Sequence, residues 1–430
     1  MDCCIQIFLD NRWETAAVFE PDDRTLARGV AGGGRLQYDI DYAVNHLANR
    51  AAELIPGLTV GFELYRFAQW PPFLVDLLPA GAGRRAWLRR MEAANDGPQM
   101  DWDLLTRGAS APPGNLRIAE AVLTPPADHF KFGFPRRDII EQRERFLDYA
   151  EDRGAHVAGA SSVQGETPKY LLVEDQAGMF HAEGALPDEQ IQKFWLVKFP
   201  RGSRTDESNQ QVLRNEAYYL EVARRFGIRT GEPLVYEKDV LFVPRFDRKV
   251  LDGRIERLGM HSLFAIADIP GFGEAVRHDT YCLALGKVVT DPVRELREYI
   301  RRDILSLALR NTDNHGRNTA VLRTNGLVRL SPLFDFAPMF LDPEGIGRVS
   351  RWLDERPGNQ PEWAAVCEKL KDFMDPGETR AWLADLGEDV KQLPETMQDC
   401  HVDDDILQRL ARWIDEVAAG LVEARPKTWV

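Results

Sequence analysis

The chain has 430 residues, 44% of them hydrophobic, and a formal net charge of −14 at pH 7. A chain of this size can bury a large core and is expected to divide into two or three subdomains. The acidic balance argues against a broad nucleic-acid or membrane surface, because such surfaces depend on clustered Lys and Arg.

Five cysteines are scattered along the chain, with neither a CxxC motif nor histidines at zinc-ligand spacing. This pattern predicts neither a metal module nor a disulfide framework. No segment approaches the roughly 20 apolar residues needed to cross a bilayer, and the first residues lack a basic leader with an apolar core. We therefore expect a protein of the reducing cytoplasm.

Residues 1–140 are predicted to form a small α+β unit. Short strand-like runs at residues 5–8 and 15–19 alternate with loops rich in Gly and Pro. A helical pattern follows at residues 73–91.

Strand patterns dominate residues 141–248, the second predicted unit. The run FWLVKFP is a buried-strand pattern that carries one charge, Lys198. A helix is predicted over residues 210–226, and Gly227 stands where a helix C-terminal glycine belongs. A strand pair in PLVYEKDVLFVPRF closes this unit.

Helical patterns dominate residues 249–430, the third predicted unit. In RELREYIRRDILSLAL the apolar residues fall on one face of a helix, and the polar run NTDNHGRN follows it. A strand is predicted at residues 319–322, and Asn325-Gly326 suits a two-residue hairpin turn. The return strand, LVRLSPLFDF, runs to Asp335-Phe336.

The polar run and the hairpin together predict a metal and phosphate site. Asn318 and Asp335 flank antiparallel neighbours, and their amide and carboxylate oxygens suit Mg²⁺. Asp313 and Asn318 have the D-x-x-x-x-N spacing of a kinase catalytic loop, in which the carboxylate receives a hydroxyl proton. The alternatives are that Asp313 and Asn318 cap a helix end and a turn, that Asp335 is a turn carboxylate, and that His315 is structural rather than catalytic.

An ATP site also needs a strand lysine upstream, paired with a glutamate of the following helix. Lys198 and Glu216 meet these conditions, since a lone ammonium inside an apolar strand is costly. In the alternative interpretation, Lys198 ends an edge strand and Glu216 is a solvated helix position.

Six segments, taken in order, resemble the HipA-type serine/threonine kinases, the toxin components of bacterial toxin–antitoxin modules. They are SSVQGETPKYLL, FWLVKFP, RNEAYYLEVARRFGI, FVPRFDR, NTDNHGRNTAVL and SPLFDFAPM. The resemblance covers residues 155–345 and is fainter over residues 1–120. It implies an α+β, two-lobed protein-kinase-like fold with a strand-rich N-lobe, a mainly helical C-lobe and an extra N-terminal α+β subdomain.

The resemblance also implies ATP and Mg²⁺ as cofactors, with Asp313 as catalytic base and Asn318 and Asp335 as Mg²⁺ ligands. The residues that it assigns to the nucleotide site are Ser162, Gly165, Lys169, Lys198, Glu216, Pro244, Phe246 and His315. Ser162 matches a loop serine whose autophosphorylation ejects the loop and silences the enzyme. Small residues in GASSVQG independently favour phosphate binding, with a flexible Gly/Ser hairpin as the alternative.

The sequence departs from the family pattern at two places. Gly165 is followed by Glu166, Thr167 and Pro168, where the family commonly shows Gly-x-Gln-x before the lysine. Pro244 stands where an acidic residue is usual at the adenine-binding hinge. Proline donates no backbone hydrogen bond, but its carbonyl can accept one from adenine, and the N–H of the nearby Phe246 remains a donor.

By resemblance, the substrate is a protein serine or threonine, with an aminoacyl-tRNA synthetase as the favoured target. The implied partner is a HipB-like DNA-binding antitoxin, whereas direct nucleic-acid binding by this chain is not expected. Two other functions stay open. One is a catalytically idle member that acts by binding a partner, and the other is a metal-dependent phosphohydrolase that uses Asp313, His315 and Asp335.

Overall fold

The computed structural model describes residues 1–122, 133–141, 143–152, 169–200, 207–269, 271, 274–324, 326–353, 355 and 360–425. The chain divides into two compact units. Unit 1 comprises Met1–Gly202, Val235–Gly273 and Ala320–Val328, and unit 2 comprises Ser203–Leu234, Glu274–Thr319 and Arg329–Val430.

Unit 1 begins with a five-stranded antiparallel sheet. Its strands are β1 (Cys3–Leu9), β2 (Arg12–Pro21), β3 (Gly34–Tyr38), β4 (Leu64–Phe67) and β5 (Leu116–Ile118), in the order β4-β3-β2-β1-β5. Inward residues at every second position of β1, Cys3, Ile5 and Ile7, are almost fully buried. The predicted strands at residues 5–8 and 15–19 lie within β1 and β2.

Four helices accompany this sheet: α1 (Ile40–His46), α2 (Pro72–Val75), α3 (Gly81–Arg90) and α4 (Asp101–Gly108). The single helix predicted at residues 73–91 is wrong, because the chain breaks between α2 and α3. Pro79 lies in the break, and Gly81 has a φ of 54°, a left-handed conformation that glycine adopts without a steric penalty.

Unit 1 also contains a six-stranded antiparallel sheet. Its strands are β6 (Phe134–Pro135), β7 (Lys169–Asp175), β8 (Met179–Ala182), β9 (Ile191–Lys198), β10 (Val235–Glu237) and β11 (Val240–Pro244), in the order β10-β11-β9-β7-β8-β6. Helices α5 (Arg136–Glu141) and α6 (Arg143–Asp152) precede β7, and Phe146 of α6 joins the core of the sheet. β9 lies between β7 and β11, so the alternative that placed Lys198 on an edge strand is wrong.

The rest of unit 1 consists of short strands. A hairpin joins β12 (Arg248–Leu251) to β13 (Arg254–Arg257), and a three-stranded sheet joins β14 (Gly259–Ser262), β15 (Ala320–Thr324) and β16 (Leu327–Leu330). Helix α8 (Leu263–Ile266) follows β14. Gly326 has a φ of 77° in the two-residue connection between β15 and β16, which confirms the predicted turn length. The last two residues of β16 are assigned to unit 2.

Unit 2 is helical. Its helices are α7 (Glu207–Arg225), α9 (His278–Val288), α10 (Pro292–Ala308), α11 (Trp363–Lys369), α12 (Pro376–Lys391), α13 (Leu393–Asp399) and α14 (Asp404–Glu423). Asp291 caps the start of α10 by accepting from the Arg294 N–H, and Pro292 occupies its first turn. The predicted apolar stripe of α10 is buried. No helix among the described residues is both long and apolar enough to cross a membrane.

Candidate active site

The polar run NTDNHGRN begins where α10 ends. Arg310 adopts a left-handed φ of 51°, and the Asn311 N–H donates to the carbonyl of Ser306 at 2.9 Å. This left-handed closure satisfies carbonyls at the helix end and turns the chain sharply. Asp313 is therefore placed on a short loop anchored by a buried helix rather than on a long, unsupported segment.

Asp313, His315 and Asn318 lie together in this loop. Asn318 Nδ2 donates to the Asp313 carbonyl at 2.8 Å and to Asp313 Oδ2 at 3.2 Å. His315 Nε2 lies 3.3 Å from Asp313 Oδ1, while its Nδ1 accepts from the Arg317 N–H at 3.2 Å. Because Nδ1 accepts, a neutral His315 carries its proton on Nε2 and points it at the carboxylate. The bonds also show that Asn318 closes the turn, as the alternative interpretation expected.

Asn318 has one side-chain atom that the surrounding structure leaves unused. Its Oδ1 is buried and meets no hydrogen-bond donor within the described part of the chain. A buried acceptor without a donor costs about 1–3 kcal/mol, and such atoms call for a ligand or an ion. Because Mg²⁺ prefers amide and carboxylate oxygens, this atom fits the predicted metal. Among the described residues, no group of three or more His, Cys, Asp or Glu side chains is placed to hold a metal.

Asp335 is held in a strained backbone conformation. Its φ is 54°, which is uncommon for a residue other than glycine. Two residues earlier, Leu333 donates its N–H to the Arg229 carbonyl at 2.8 Å and forms a parallel bridge with Thr230. On the other side, Phe336 is 1% exposed. Strain of this kind persists only where the surroundings fix the chain, and it clusters at functional sites.

Helix α7 connects the loop that carries Asp313 with the segment that carries Asp335. The buried Tyr219 hydroxyl donates to the Leu309 carbonyl at 3.2 Å, and its ring centroid lies 5.5 Å from that of Phe336. Burial raises the pKa of Tyr219 well above its ordinary value, so its hydroxyl stays protonated. Glu216, one turn earlier in α7, is 5% exposed, so the alternative that made it a solvated helix position is wrong.

The described nucleotide-site residues of unit 1 lie on the six-stranded sheet or directly after it. Lys169 of β7 and Lys198 of β9 are direct register partners, so their side chains share one face of the sheet. Lys198 is 3% exposed. Pro244 ends β11 opposite Trp195, and Phe246 follows it half-buried. The face that carries both lysines is the one that the family resemblance assigns to the nucleotide phosphates.

The predicted site residues are distributed over both units. Lys169, Lys198, Pro244 and Phe246 belong to unit 1, whereas Glu216, Asp313, His315, Asn318 and Asp335 belong to unit 2. Ser162 and Gly165 lie outside the described residues. The convergence of all these groups around one nucleotide stays a prediction.

Sequence reasoning missed Asp303, which lies buried on α10 beneath the loop. Its Oδ1 accepts from Asn314 Nδ2 at 2.7 Å, and its two oxygens accept from Arg348 at 3.2 and 3.0 Å. Trp352 Nε1 donates to Oδ2 at 2.5 Å. Burial alone raises the pKa of Asp303, but Arg348, His278 and the Trp352 hydrogen bond outweigh it and hold the pKa below its ordinary value.

The signal for Asp303 was present in the sequence. Leu296, Ile300 and Leu307 form the apolar stripe of α10, and Asp303 falls between them at the same helical spacing. An acid on the buried face of a helix needs partners, because a lone buried charge is costly. Through Asn314, the partnered Asp303 fixes the residue next to Asp313.

Known proteins resemble this chain in sequence family and in fold. The family model of the HipA-like C-terminal domain matches residues 161–397. No curated protein sequence matches the chain. A solved structure of HipA from the toxin–antitoxin system of Shewanella oneidensis MR-1, in complex with HipB and operator DNA, matches with a TM-score of 0.67 and 15% identity. That match covers 98% of this chain and 97% of that one.

A second solved structure, the Helicobacter pylori proinflammatory kinase CtkA, matches with a TM-score of 0.34 and 12% identity over 54% of this chain and 86% of that one. At these identities a structural match reports on the fold, and the full-length match shows that this chain has the mixed α+β fold of HipA. The family match spans more than half of the sequence. The chain therefore belongs to the family of proteins that carry a HipA-like C-terminal domain.

Proposed function

We propose that the protein is an ATP-dependent serine/threonine protein kinase of the HipA type. The observation that carries the proposal is the loop in which Asn318 binds Asp313 and keeps a buried Oδ1 that has no hydrogen-bond donor among the described residues. A kinase loop needs both parts, a carboxylate for the substrate hydroxyl and an amide oxygen for a metal. Family membership supports the same conclusion.

The roles of the residues in unit 2 follow from their contacts. Asp313 orients the substrate hydroxyl and receives its proton, while His315 and Asn318 hold the carboxylate in place. Asn318 Oδ1 and Asp335 would hold Mg²⁺. The ion, when bound, neutralises charge on the transferring phosphate.

The residues of unit 1 would hold the nucleotide. Lys198 and Lys169 would bind its phosphates, and Glu216 of α7 is the acid that the family resemblance assigns to Lys198. The Pro244 carbonyl and the Phe246 N–H bind adenine. Ser162 and Gly165 belong to the loop that covers the phosphates, and phosphorylation of Ser162 would add about −2 charge and repel them. This assignment implies a two-lobed kinase with an extra N-terminal subdomain, divided as residues 1–140, 141–248 and 249–430.

The biological setting is proposed from the same relationship. Because the Shewanella HipA was solved with HipB and operator DNA, we propose a HipB-like DNA-binding antitoxin as the partner of this chain. The proposed substrate is a protein whose phosphorylation slows translation or growth in the cytoplasm, such as an aminoacyl-tRNA synthetase.

Transfer of radiolabelled phosphate from ATP to protein tests the proposal. We expect Asp313→Asn and Asp335→Asn to lower labelling by about 10²–10⁴-fold, the usual contribution of a general base for the first variant. Asp415→Asn, at an exposed position of α14, removes the same charge and is expected to label like the wild type.

Equal labelling by the wild type and both site variants would rule out the kinase proposal. Release of free phosphate without labelled protein would instead support the phosphohydrolase. Failure of Mg·ATP to shift the melting temperature would support the catalytically idle member. A phosphoproteomic comparison of cells that express wild type or Asp313→Asn then identifies the target protein.

A further inference from the structure

A groove of about 840 Å³ in unit 2 carries a concentration of arginines. It lies between the C-terminal end of α7, the first half of α10 and α12. The arginines that line it are Arg224, Arg229, Arg294, Arg297 and Arg301. The lining contains only two acids, Asp291 and Glu298, so the groove is locally positive on a chain with a net charge of −14.

Both acids are already bound by the protein itself. Glu298 accepts from Arg302 at 2.7 and 3.0 Å and from the Arg229 N–H at 3.0 Å. Asp291 accepts from the Arg294 N–H as the cap of α10. Neither carboxylate is bonded to a guanidinium of the α10 arginines that face the groove, so the positive charge of those arginines is not cancelled locally.

Two of the arginines are likewise committed to structure. Arg229 binds Glu295 through two nitrogens, each at 2.9 Å, and this partner raises the pKa of Arg229. Arg224 donates to Glu221, Thr230 and the carbonyl of Gly231. They form a fixed wall of the groove rather than its free binding groups.

The remaining three arginines are oriented but not neutralised. Arg294, Arg297 and Arg301 lie at i, i+3 and i+7 on one face of α10. The guanidinium carbons of Arg297 and Arg301 lie 5.5 and 5.9 Å from the centre of the Trp382 ring. Arg301 also donates to the carbonyl of Gly227 at 3.2 Å. Cation–π stacking of this kind holds a guanidinium in place and leaves its edge available.

Within the described residues, none of these three arginines pairs with a carboxylate. The Nε atoms of Arg297 and Arg301 are buried and have no hydrogen-bond acceptor there. A buried donor without an acceptor is costly, and a charged one more so. The groove therefore has fixed donors whose hydrogen-bonding capacity an anionic ligand would complete.

We propose that this groove binds an acidic peptide segment of a partner protein. Guanidinium forks match carboxylates in geometry as well as charge. Arg294 and Arg301 are seven residues apart, a rise of roughly 10 Å along the helix, which is close to the roughly 9 Å covered by three residues of a polyproline II peptide. Side chains at every third position of such a peptide share one face, so glutamates at that spacing would meet Arg294 and Arg301.

The size and charge of the surroundings favour a peptide over other anions. A volume of about 840 Å³ is far larger than one inorganic anion needs. A long nucleic acid would extend past the groove over a chain that is strongly acidic as a whole, and its binding depends on many Lys and Arg contacts. A short acidic segment needs only the groove.

Direct binding of a labelled peptide tests the proposal without ATP, so its result is independent of the proposed kinase activity. The probe is a fluorescein-labelled peptide with glutamate at every third position and glycine and serine between, and its glutamine counterpart is the negative probe. Fluorescence anisotropy is measured on the full chain at low and physiological ionic strength. We expect the glutamate peptide to bind and its affinity to fall with salt.

The decisive variant is Arg297→Gln with Arg301→Gln. We expect it to bind the peptide at least about tenfold more weakly than the wild type. Its matched control is Arg409→Gln with Arg412→Gln, which removes two exposed arginines from α14 and changes the net charge equally. The control is expected to bind like the wild type. Equal affinity in both double variants and the wild type would overturn the proposal.

Two further arms keep the result interpretable. If the glutamine variant fails to fold, Arg297→Lys with Arg301→Lys keeps the charge but removes the fork, and unchanged affinity in that variant overturns the proposal. Competition separates the ligand classes. Displacement of the peptide by millimolar inorganic phosphate would show that the groove binds any adventitious ion of negative charge and would overturn the peptide proposal. Tighter, groove-dependent binding of single-stranded RNA would replace the peptide with a nucleic acid.

Discussion

Two buried acids close together in sequence, Asp303 and Asp313, are treated in opposite ways by the fold. Asp303 lies in the middle of the buried face of α10 and accepts hydrogen bonds from two other segments, one with Asn314 and one with Arg348 and Trp352. Asp313 lies on the loop after the same helix, and its partner Asn318 keeps a buried oxygen that nothing in the described chain satisfies. Both acids are buried, but of the two only Asp313 binds an amide that keeps a buried oxygen without a hydrogen-bond partner among the described residues.

The difference separates a structural residue from a binding residue. A buried polar group whose hydrogen bonds are all made within its own chain stabilises the fold, because none of its donors or acceptors is unsatisfied. A buried polar group without a hydrogen-bond partner lowers the stability of the fold until a ligand supplies that partner. The same criterion applies to the arginine groove, where Arg229 is bound by Glu295, whereas Arg297 meets no carboxylate within the described part of the chain.

The largest expected effect concerns Asp303. Asp303→Asn removes one of the two carboxylates that pair with the mostly buried Arg348, and Glu355 remains as the other. We therefore expect a loss of unfolding free energy toward the lower end of the about 3–5 kcal/mol that breaking a buried pair costs. Urea denaturation followed by circular dichroism measures it. Asp313→Asn, the matched substitution on the loop, is expected to cost no more than about 1 kcal/mol. Similar losses in the two variants would contradict the distinction between them.

A smaller effect is expected from pH, through His278. Burial lowers the pKa of His278 to about 4, and the nearby Asp303 offsets this only in part. The native imidazole accepts a hydrogen bond from Tyr299 at Nδ1 and donates one to the Ser350 carbonyl, so it is held neutral. The unfolded chain takes up a proton near pH 6.5, where the native state does not.

The contribution of His278 to the free energy of unfolding is therefore fully present above pH 6.5. It is lost as the pH falls toward 4, because the unfolded state binds more protons than the native state in that range. The expected loss is roughly 2–3 kcal/mol. The lowered pKa of Asp303 adds a further loss as pH falls below the ordinary aspartate range. Denaturant midpoints between pH 7 and pH 4 measure the slope. His278→Gln should flatten it, and the exposed His401→Asn should not. If His278→Gln has the same slope as the wild type, then a neutral native His278 is not the cause of the pH dependence.

Local pattern predicted the parts of the fold that local energetics determine. The apolar stripe of α10 and the two-residue connection between β15 and β16 appear as expected, because helical spacing and turn chemistry act over a few residues. The helix predicted at residues 73–91 failed because the turn at Gly81 overrides the helical pattern around it.

The candidate site divides in the same way. The contact between Asp313 and Asn318 lies within one loop and was predictable from spacing. The partners of Asp303 were not predictable, because Arg348 and Trp352 are 45 and 49 residues away and no periodicity connects them to α10. The left-handed backbone of Asp335 also depends on tertiary contacts, which a propensity for turns does not encode.

The smallest expected change in stability is that of a variant of Asn318, the residue that binds Asp313. Asn318→Leu keeps the shape of the side chain but removes two donated hydrogen bonds, a loss of about 0.5–1.5 kcal/mol each. It also removes the unpartnered Oδ1, which by itself costs about 1–3 kcal/mol. The two terms oppose each other, so the free energy of unfolding should change by less than about 1 kcal/mol.

Binding should respond quite differently, because Oδ1 is the proposed contact to Mg²⁺. In thermal-shift titrations we expect Mg·ATP to raise the melting temperature of the wild type more than ATP with EDTA does. Asn318→Leu should lose this difference while its melting temperature without ligand stays near the wild-type value. If the ligand-free variant unfolds as easily as Asp303→Asn, then Oδ1 has a partner in the native chain. In that case the hydrogen bonds of Asn318 are all satisfied within the chain, as those of Asp303 are, and its amide oxygen is no longer a candidate metal ligand.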